Sequence, residues 1–197
     1  MTGNARYGLT PWKVRIVSIV LSLVLMCTLC LGMVSTAQAQ AGPDTLAMAG
    51  NIGSPYPGFA LRNGQGYLGN SALRGKVIWI NFWFEACKPC MAEMGAIEEI
   101  VQGYRDRPDF IMLSLTWEEH AAIQRVQAKF PMPYPVYSIS EEQCERLSGG
   151  RPYPTNVVVD KQGLIRYIGS GGRTVPEEAR ADIRARILPI IEEALNQ

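Results

Sequence analysis

The sequence has no excess of either charge. Its 197 residues carry 19 Lys and Arg against 18 Asp and Glu, so the formal net charge is +1. This balance excludes a polybasic nucleic-acid-binding protein and an acidic solvating tail, and we expect no nucleic-acid partner. Because 47% of the residues are hydrophobic, the composition also excludes intrinsic disorder as the main state.

Metal ligands are scarce as well. A structural zinc site needs about four ligands, and His120 is the single histidine of the chain. After residue 39 the cysteines are Cys87, Cys90 and Cys144, and neither Cys144 nor His120 lies at a spacing that would complete a site. We therefore expect no metal and no cofactor, and we expect His120 at the surface.

Charge is also absent from a long stretch near the N-terminus. Three basic residues come first, residues 16–34 are uncharged and mostly Ile, Val, Leu and Met, and Ala37 and Ala39 follow. This order is typical of a secretory signal peptide over residues 1–39, cleaved after Ala39, with cleavage after Ala41 as a close alternative. An uncleaved membrane anchor is the alternative, because a stretch of this length would just cross the apolar part of a bilayer. In either case we expect export to the periplasm or the extracytoplasmic face of the membrane, with membrane contact only if the segment is retained.

The remainder of the chain predicts one domain. Residues 40–51 are small and polar and are typical of a flexible lead, and residues 52–197 have an ordinary length for a single domain. The pattern predicts a hairpin over 59–68, strands over 77–84, 110–115, 134–139, 156–160 and 164–168, and helices over 89–107, 121–130, 141–147 and 176–195. This order predicts an α/β fold in which helices flank a mixed central sheet, with an N-terminal hairpin.

The clearest chemical signal is the segment Cys87-Lys88-Pro89-Cys90, at the exit of a buried strand and the start of a helix. Two cysteines at this spacing can close a small disulfide ring across the first helical turn. The helix N-terminus and Lys88 favour the thiolate of Cys87, which is the form that attacks a disulfide. Cys90, one turn inside, is expected to be buried and to act as the resolving thiol. A purely structural disulfide is the alternative, but so small a ring stabilises little by loop closure.

The residues around this pair resemble the active-site segment of the thioredoxin superfamily. The match runs over residues 82–93 (FWFEACKPCMAE) and is closest to the exported TlpA/ResA-like thiol-disulfide oxidoreductases, which include cytochrome c maturation thioredoxins. Residues 58–61 and 73–77 resemble the family's lead-in to the first central strand, and residues 153–163 resemble its cis-proline strand and hairpin. The resemblance implies a thioredoxin-like fold with a central αβ insertion and a redox-active Cys87–Cys90 disulfide.

The resemblance also implies a substrate-binding surface beside the cysteines. Pro154 would be the cis-proline that faces the disulfide, and its geometry would present the backbone of Tyr153 to an extended substrate chain. Lys88 and Pro89 would belong to the same surface. From the residues alone, a trans-proline at an edge of the sheet is the alternative for Pro154.

An acidic residue often occupies the position of Glu93 in this family. Glu93 lies three residues after Cys90 and so on the same side of the helix, one turn on. A partly buried carboxylate there would have a raised pKa and would relay a proton to or from Cys90. A solvated Glu on an amphipathic helix is the alternative. Asn81 stands where cytosolic thioredoxins carry a buried Asp, and it cannot relay protons by ionising.

Two residues depart from the family's pattern. Ala86 precedes the first cysteine, where the family usually has Trp, so a flat apolar contact beside the thiol is missing. Cys144 is an additional cysteine, and we expect it to be a small buried residue rather than a peripheral thiol that traps mixed disulfides.

The sequence therefore predicts an exported enzyme, a protein-disulfide oxidoreductase. We expect it to reduce protein disulfides, in cytochrome c maturation or in redox homeostasis of the cell envelope, and to take electrons from a membrane-borne thiol-disulfide donor. Two alternatives remain from the sequence. One is a peroxiredoxin-like thiol peroxidase, since the lead-in segment is shared with that group, and the other is a non-enzymatic module with a structural disulfide.

Overall fold

The computed structural model describes residues 48–63 and 66–197. The predicted signal peptide, its cleavage site and most of the predicted flexible lead lie outside the described residues. The strands are β1 (Ala60–Asn63), β2 (Gly66–Gly69), β3 (Val77–Phe82), β4 (Phe110–Thr116), β5 (Val136–Ser138), β6 (Thr155–Val159) and β7 (Ile165–Ser170). The helices are α1 (Asn70–Leu73), α2 (Lys88–Gly103), α3 (His120–Gln127), α4 (Glu141–Ser148), α5 (Pro176–Arg186) and α6 (Leu188–Leu195).

Five strands form one mixed sheet in the order β5-β4-β3-β6-β7. The pairs β3–β4 and β4–β5 are parallel, and the pairs β3–β6 and β6–β7 are antiparallel. Strands β1 and β2 form a separate antiparallel hairpin. Helix α3 and edge strand β5 follow the parallel pair β3–β4 and precede the antiparallel pair β6–β7 in sequence. They are the predicted central αβ insertion. The predicted fold class, a thioredoxin-like α/β fold with a mixed central sheet flanked by helices, is confirmed.

The central strand β3 explains the long apolar run of the sequence. All six of its residues are buried because helices cover both faces of the sheet. Val77 and Trp79 pack in a cluster with residues of α2, α5 and α6. Ile78, Ile80 and Phe82 pack on the other face, in a cluster that includes residues of α4. Asn81 is the one polar residue of the strand, and its side chain is buried too.

Several predicted boundaries differ from the structure: the helix over 89–107 ends at Gly103, the helix over 121–130 ends at Gln127, and the strand over 134–139 is only Val136–Ser138. Two further differences have a local cause. The predicted strand over 77–84 ends at Phe82. The Trp83 amide still donates to the Leu115 carbonyl of β4 at 3.2 Å, but the chain then enters the turn that leads to Cys87. The predicted single helix over 176–195 is two helices, α5 and α6, that break at Ile187. Pro189 explains the break: proline has no amide for an intrahelical bond, so the chain starts a new helix with Pro189 in its first turn.

Within residues 48–63 and 66–197, no helix combines the length and the apolar character that a membrane span requires.

Candidate active site

The two cysteines lie at the end of the connection from β3 to α2. The chain leaves the sheet after Phe82, and a turn closed by a hydrogen bond from the Cys87 amide to the Phe84 carbonyl (3.1 Å) places Cys87 at the N-cap of α2. Pro89 occupies the first turn, where no amide donor is needed. Lys88 is exposed and Pro89 is half-buried.

Cys87 and Cys90 are joined by a disulfide, with their Cα atoms 5.2 Å apart. The backbone amide of Cys90 donates to the Sγ atom of Cys87 at 3.2 Å. A donor at a helix N-terminus favours negative charge on the sulfur that it contacts, so the site is built to stabilise a thiolate on Cys87 once the disulfide is reduced. Both residues are buried, with 4% of Cys87 and 1% of Cys90 exposed.

Two residues that follow β4, Glu118 and Arg125, hold the short loop before Cys87. The backbone amide of Glu85 donates to the Glu118 carboxylate at 2.8 Å. The guanidinium of Arg125, on α3, donates to both carboxylate oxygens of Glu85 at 2.7 and 2.6 Å, and these bonds lower the pKa of Glu85. The αβ insertion therefore fixes the backbone directly before the exposed Ala86.

Pro154 follows a cis peptide bond from Tyr153 and is buried. Its carbonyl accepts a hydrogen bond from the Gly171 amide at 2.8 Å. Tyr153 is half-buried and packs against the cluster that contains both active-site cysteines. The structure thus brings Tyr153 to the cysteine pair although more than 60 residues separate them in sequence.

An aromatic surface lies beside the site, and we did not predict it from the sequence. Phe84, Trp117 and Tyr153 pack together, with ring centroids 5.3 Å apart for Phe84 and Trp117 and 5.0 Å apart for Trp117 and Tyr153. Trp117 meets Phe84 because parallel strands β3 and β4 end at the same edge of the sheet, and Phe84 and Tyr153 in turn pack against the cluster that contains Cys87. These three half-buried rings form an apolar cluster in a chain that has Ala86 in place of the usual Trp.

Glu93 is buried beneath this site, with 4% of its surface exposed. Its Oε2 atom accepts hydrogen bonds from the side-chain amides of Asn156 (3.0 Å) and Asn81 (3.4 Å). Burial raises the pKa of Glu93 to about 7, while the hydrogen bond from Asn156 opposes that rise. A carboxyl with this pKa exists in both protonation states at neutral pH, which is what a proton carrier needs.

Asn156 and Gly171 are site residues that sequence reasoning missed. The sequence signal for Asn156 was a polar residue inside the apolar run of β6, like Asn81 inside β3. Gly171 has no such signal. A Cβ atom on Gly171 would overlap the Oε1 atom of Glu93 and would lie 2.9 Å from the Cγ atom of Pro154. Only a residue without a side chain allows the loop after β7 to cover both groups.

Cys144 is the free cysteine among the described residues, and it is fully buried on α4. Burial raises the pKa of its thiol to about 12, although a hydrogen bond with Tyr153 partly opposes the rise. It therefore stays a neutral thiol at physiological pH. This placement confirms that Cys144 is a small buried residue rather than a peripheral thiol.

The part of the chain that the structure describes contains no group of three or more His, Cys, Asp or Glu residues that could hold a metal ion. His120 is exposed at the start of α3, as predicted.

Residues 52–168 match the AhpC/TSA family. The chain belongs to this family. Among curated relatives, thiol-disulfide oxidoreductase ResA of Geobacillus kaustophilus (strain HTA426) is 28% identical over 124 residues, which are 62% of this chain and 71% of the relative. Thioredoxin-like protein YneN of Bacillus subtilis (strain 168) is 27% identical over 135 residues, which are 66% of this chain and 79% of the relative.

Solved structures agree on the fold. A putative thiol:disulfide interchange protein DsbE from Chlorobium tepidum superposes with a TM-score of 0.61 at 23% identity, covering 72% of this chain and 98% of that one. A putative protein disulfide isomerase from Bacteroides thetaiotaomicron superposes with a TM-score of 0.62 at 24% identity, covering 78% and 95%. The predicted family resemblance is confirmed, and so is the predicted enzyme class, a thioredoxin-like thiol-disulfide oxidoreductase.

Proposed function

We propose that this protein is an exported reductase of protein disulfides that works through Cys87 and Cys90, with Glu93 as the proton carrier. The observation that carries the proposal is the position of the Cys87 sulfur at the N-terminus of α2, where it accepts a hydrogen bond from the Cys90 amide. The buried carboxyl of Glu93 lies one helical turn beyond Cys90. This position supports its role as the group that takes the proton of Cys90.

The proposed reaction starts from the reduced pair. The Cys87 thiolate attacks one sulfur of the substrate disulfide, that S–S bond breaks, and the first substrate thiolate leaves. A mixed disulfide now joins Cys87 to the substrate. Cys90 then gives its proton to the Glu93 carboxylate and attacks the Cys87 sulfur, which releases the second substrate thiolate. Two electrons have moved from the cysteine pair to the substrate, and a thiol-disulfide electron donor at the membrane restores the dithiol.

The proposed substrate surface surrounds Cys87. In this proposed surface the backbone of Tyr153, which precedes the cis peptide bond to Pro154, binds an extended substrate chain, and Lys88 and Pro89 flank the Cys87 sulfur on the helix side. The aromatic face of Phe84, Trp117 and Tyr153 takes over the apolar contact that Ala86 does not provide. Export is supported by the signal-like residues 1–39, and cytochrome c maturation or envelope redox homeostasis by the family resemblance of the sequence.

The test uses two variants of the cysteine pair. With insulin as substrate and dithiothreitol as electron source, we expect Cys87→Ser to abolish catalysed disulfide reduction. We expect Cys90→Ser to accumulate a stable mixed disulfide through Cys87, which allows protein partners to be trapped in producing cells and identified. Mass spectrometry of the protein from the same cells is expected to show Gln40 as the first residue.

Three results would contradict the proposal. A strongly oxidising equilibrium with glutathione would remove the reductase direction. Consumption of hydrogen peroxide that Cys87→Ser abolishes would indicate a thiol peroxidase. Retained function in cells of a Cys87→Ala, Cys90→Ala double variant would indicate a module with a structural disulfide.

A further inference from the structure

Trp79 determines which atom of the Asn156 side-chain amide donates to Glu93. The indole Nε1–H of Trp79 can only donate, and it donates to the Oδ1 atom of Asn156 at 2.9 Å. The oxygen of the Asn156 amide therefore faces Trp79, and its NH₂ group must face Glu93. The orientation of Asn156 is thus set by a hydrogen bond from Trp79 on the neighbouring strand β3.

The same rule fixes Asn81, which lies directly opposite Asn156 in the antiparallel pair of β3 and β6. The Oδ1 atom of Asn156 can only accept, so the Asn81 atom that contacts it at 3.1 Å is the donor Nδ2. The same Nδ2 atom lies 3.4 Å from the Oε2 atom of Glu93. Both amides consequently present N–H groups to one carboxylate oxygen, Oε2 of Glu93.

This arrangement leaves one buried acceptor without a donor. Among the described residues, the Oδ1 atom of Asn81 has no hydrogen-bond partner although the residue is almost fully buried. Leaving a buried polar atom unpaired is costly, and a purely structural amide would be expected to avoid it. The cost is explained if the two amides are arranged to donate to Glu93.

We propose that Asn156, oriented by the indole N–H of Trp79, is a positioning residue of the exchange reaction that, together with Asn81, holds the Glu93 carboxyl and supplies the N–H groups its ionised form requires. This inference rests on the proposed role of Glu93 as the proton carrier. Without these donors, burial would keep Glu93 protonated, and it could not take the proton of Cys90 at neutral pH.

Other groups that face Glu93 do not replace the amides. Asp182 and Arg186 on α5 act on its pKa in opposite directions, and their side chains form an ion pair at 3.0 Å. Tyr167 on β7 also lies close enough to interact with Glu93. The amides of Asn156 and Asn81 are the hydrogen-bond donors that the described residues provide to the carboxylate.

The test is a titration of the Glu93 carboxyl by ¹³C NMR in the purified protein, with the signal assigned by its loss in Glu93→Gln. We expect Asn156→Leu, which removes a donor, and Trp79→Phe, which frees the amide to rotate, each to raise the titration midpoint by about one pH unit. The direction of the shift is diagnostic. A variant that merely loosened the core would admit water and move the midpoint down, towards the ordinary value for Glu.

Trp83→Phe is the matched control. Trp83 is also fully buried, and its indole N–H donates to the Oγ atom of Ser114 at 2.7 Å, outside the Glu93 network. We expect this variant to lose a comparable buried hydrogen bond and to leave the Glu93 midpoint unchanged. Midpoints in Asn156→Leu and Trp79→Phe that equal the wild-type value would overturn the inference.

A kinetic measurement separates this inference from the proposed function. The rate at which Cys90 resolves a mixed disulfide between Cys87 and 5-thio-2-nitrobenzoate is followed against pH, with Cys27 and Cys30 replaced by Ala. We expect Glu93→Gln to abolish the acid limb of the profile and Trp79→Phe to move it to higher pH. An acid limb that Glu93→Gln leaves intact would overturn the role of Glu93 and this inference together. If Glu93→Gln abolishes the acid limb but Trp79→Phe does not shift it along the pH axis, only this inference is overturned.

Discussion

At the scale of single residues, the site depends on side chains that are small as much as on those that react. Gly171 covers the Glu93 carboxyl and Pro154 because it has no Cβ atom, and its amide bonds the Pro154 carbonyl. Its neighbour Gly172 has open space where a Cβ atom would lie. Neither glycine has a left-handed backbone conformation, so alanine at these positions differs only in the atoms that it meets.

We expect Gly171→Ala to lower the free energy of unfolding by about 1–3 kcal/mol and to slow disulfide exchange, because the new methyl group displaces the Glu93 carboxyl. Gly172→Ala is the control and should change the stability by less than about 0.5 kcal/mol. Urea denaturation and insulin reduction measure the two effects. Equal behaviour of the two variants would show that the loop after β7 does not contact Glu93 in solution.

At the scale of elements, the αβ insertion reaches the site through Glu118 and Arg125. Glu118 accepts the amide of Glu85, and Thr116 at the end of β4 in turn accepts the amide of Glu118 at 3.1 Å. The segment between β4 and α3 therefore anchors the loop that ends at Cys87. Glu119, the next residue, is exposed and its side chain does not cap α3.

We expect Glu118→Ala to free the Glu85 amide, which should exchange with deuterium at least about tenfold faster because its hydrogen bond is lost. Glu119→Ala, with the same change of charge, should leave that exchange rate unchanged. Amide exchange followed by NMR in the oxidised protein gives both rates. If the Glu85 amide is equally protected in both variants, the insertion does not hold the loop.

From the residues alone, the sequence predicted those parts of the site that lie close together in the chain, and the family resemblance added the distant Tyr153 and Pro154. Cys87, Cys90 and Glu93 fall within two turns of one helix, so their spacing alone places them on the same side. Asn156, Gly171 and Trp117 reach the site only through strand pairing. Asn81 was noticed as a polar residue in an apolar strand, but its partner is 75 residues away and is set by the register of β3 and β6. Pro189, by contrast, was a local signal for a helix break, and the apolar spacing over 176–195 concealed it.

At the scale of the whole molecule, Glu93 couples the stability of the fold to pH. Burial raises the pKa of Glu93 to about 7 from the ordinary value of 4.5. Between these two pH values the unfolded chain has lost the proton and the folded protein keeps it. The contribution of Glu93 to the free energy of unfolding therefore falls as the pH rises through this window, and levels off above it.

We expect the oxidised wild-type protein to lose roughly 3 kcal/mol of unfolding free energy between pH 4.5 and pH 7.5 relative to Glu93→Gln, which carries no titratable group there. Asp109, whose pKa is lowered by the guanidinium of Arg107, titrates at more acidic pH and does not contribute in this window. Urea denaturation of both proteins at several pH values gives the difference. Parallel curves for the two proteins would mean that folding does not raise the pKa of Glu93.

The facing positions of Asn81 and Asn156 have a consequence for the newly made protein. A chain that has not yet paired β3 with β6 already contains both thiols, since Cys87 and Cys90 are neighbours in sequence, but it has no buried acid beside them. In the proposed reaction, resolution by Cys90 with help from Glu93 therefore requires the pairing of β3 with β6. An unpaired chain keeps two ordinary exposed thiols, so this register controls the proton transfer and not thiol reactivity as such.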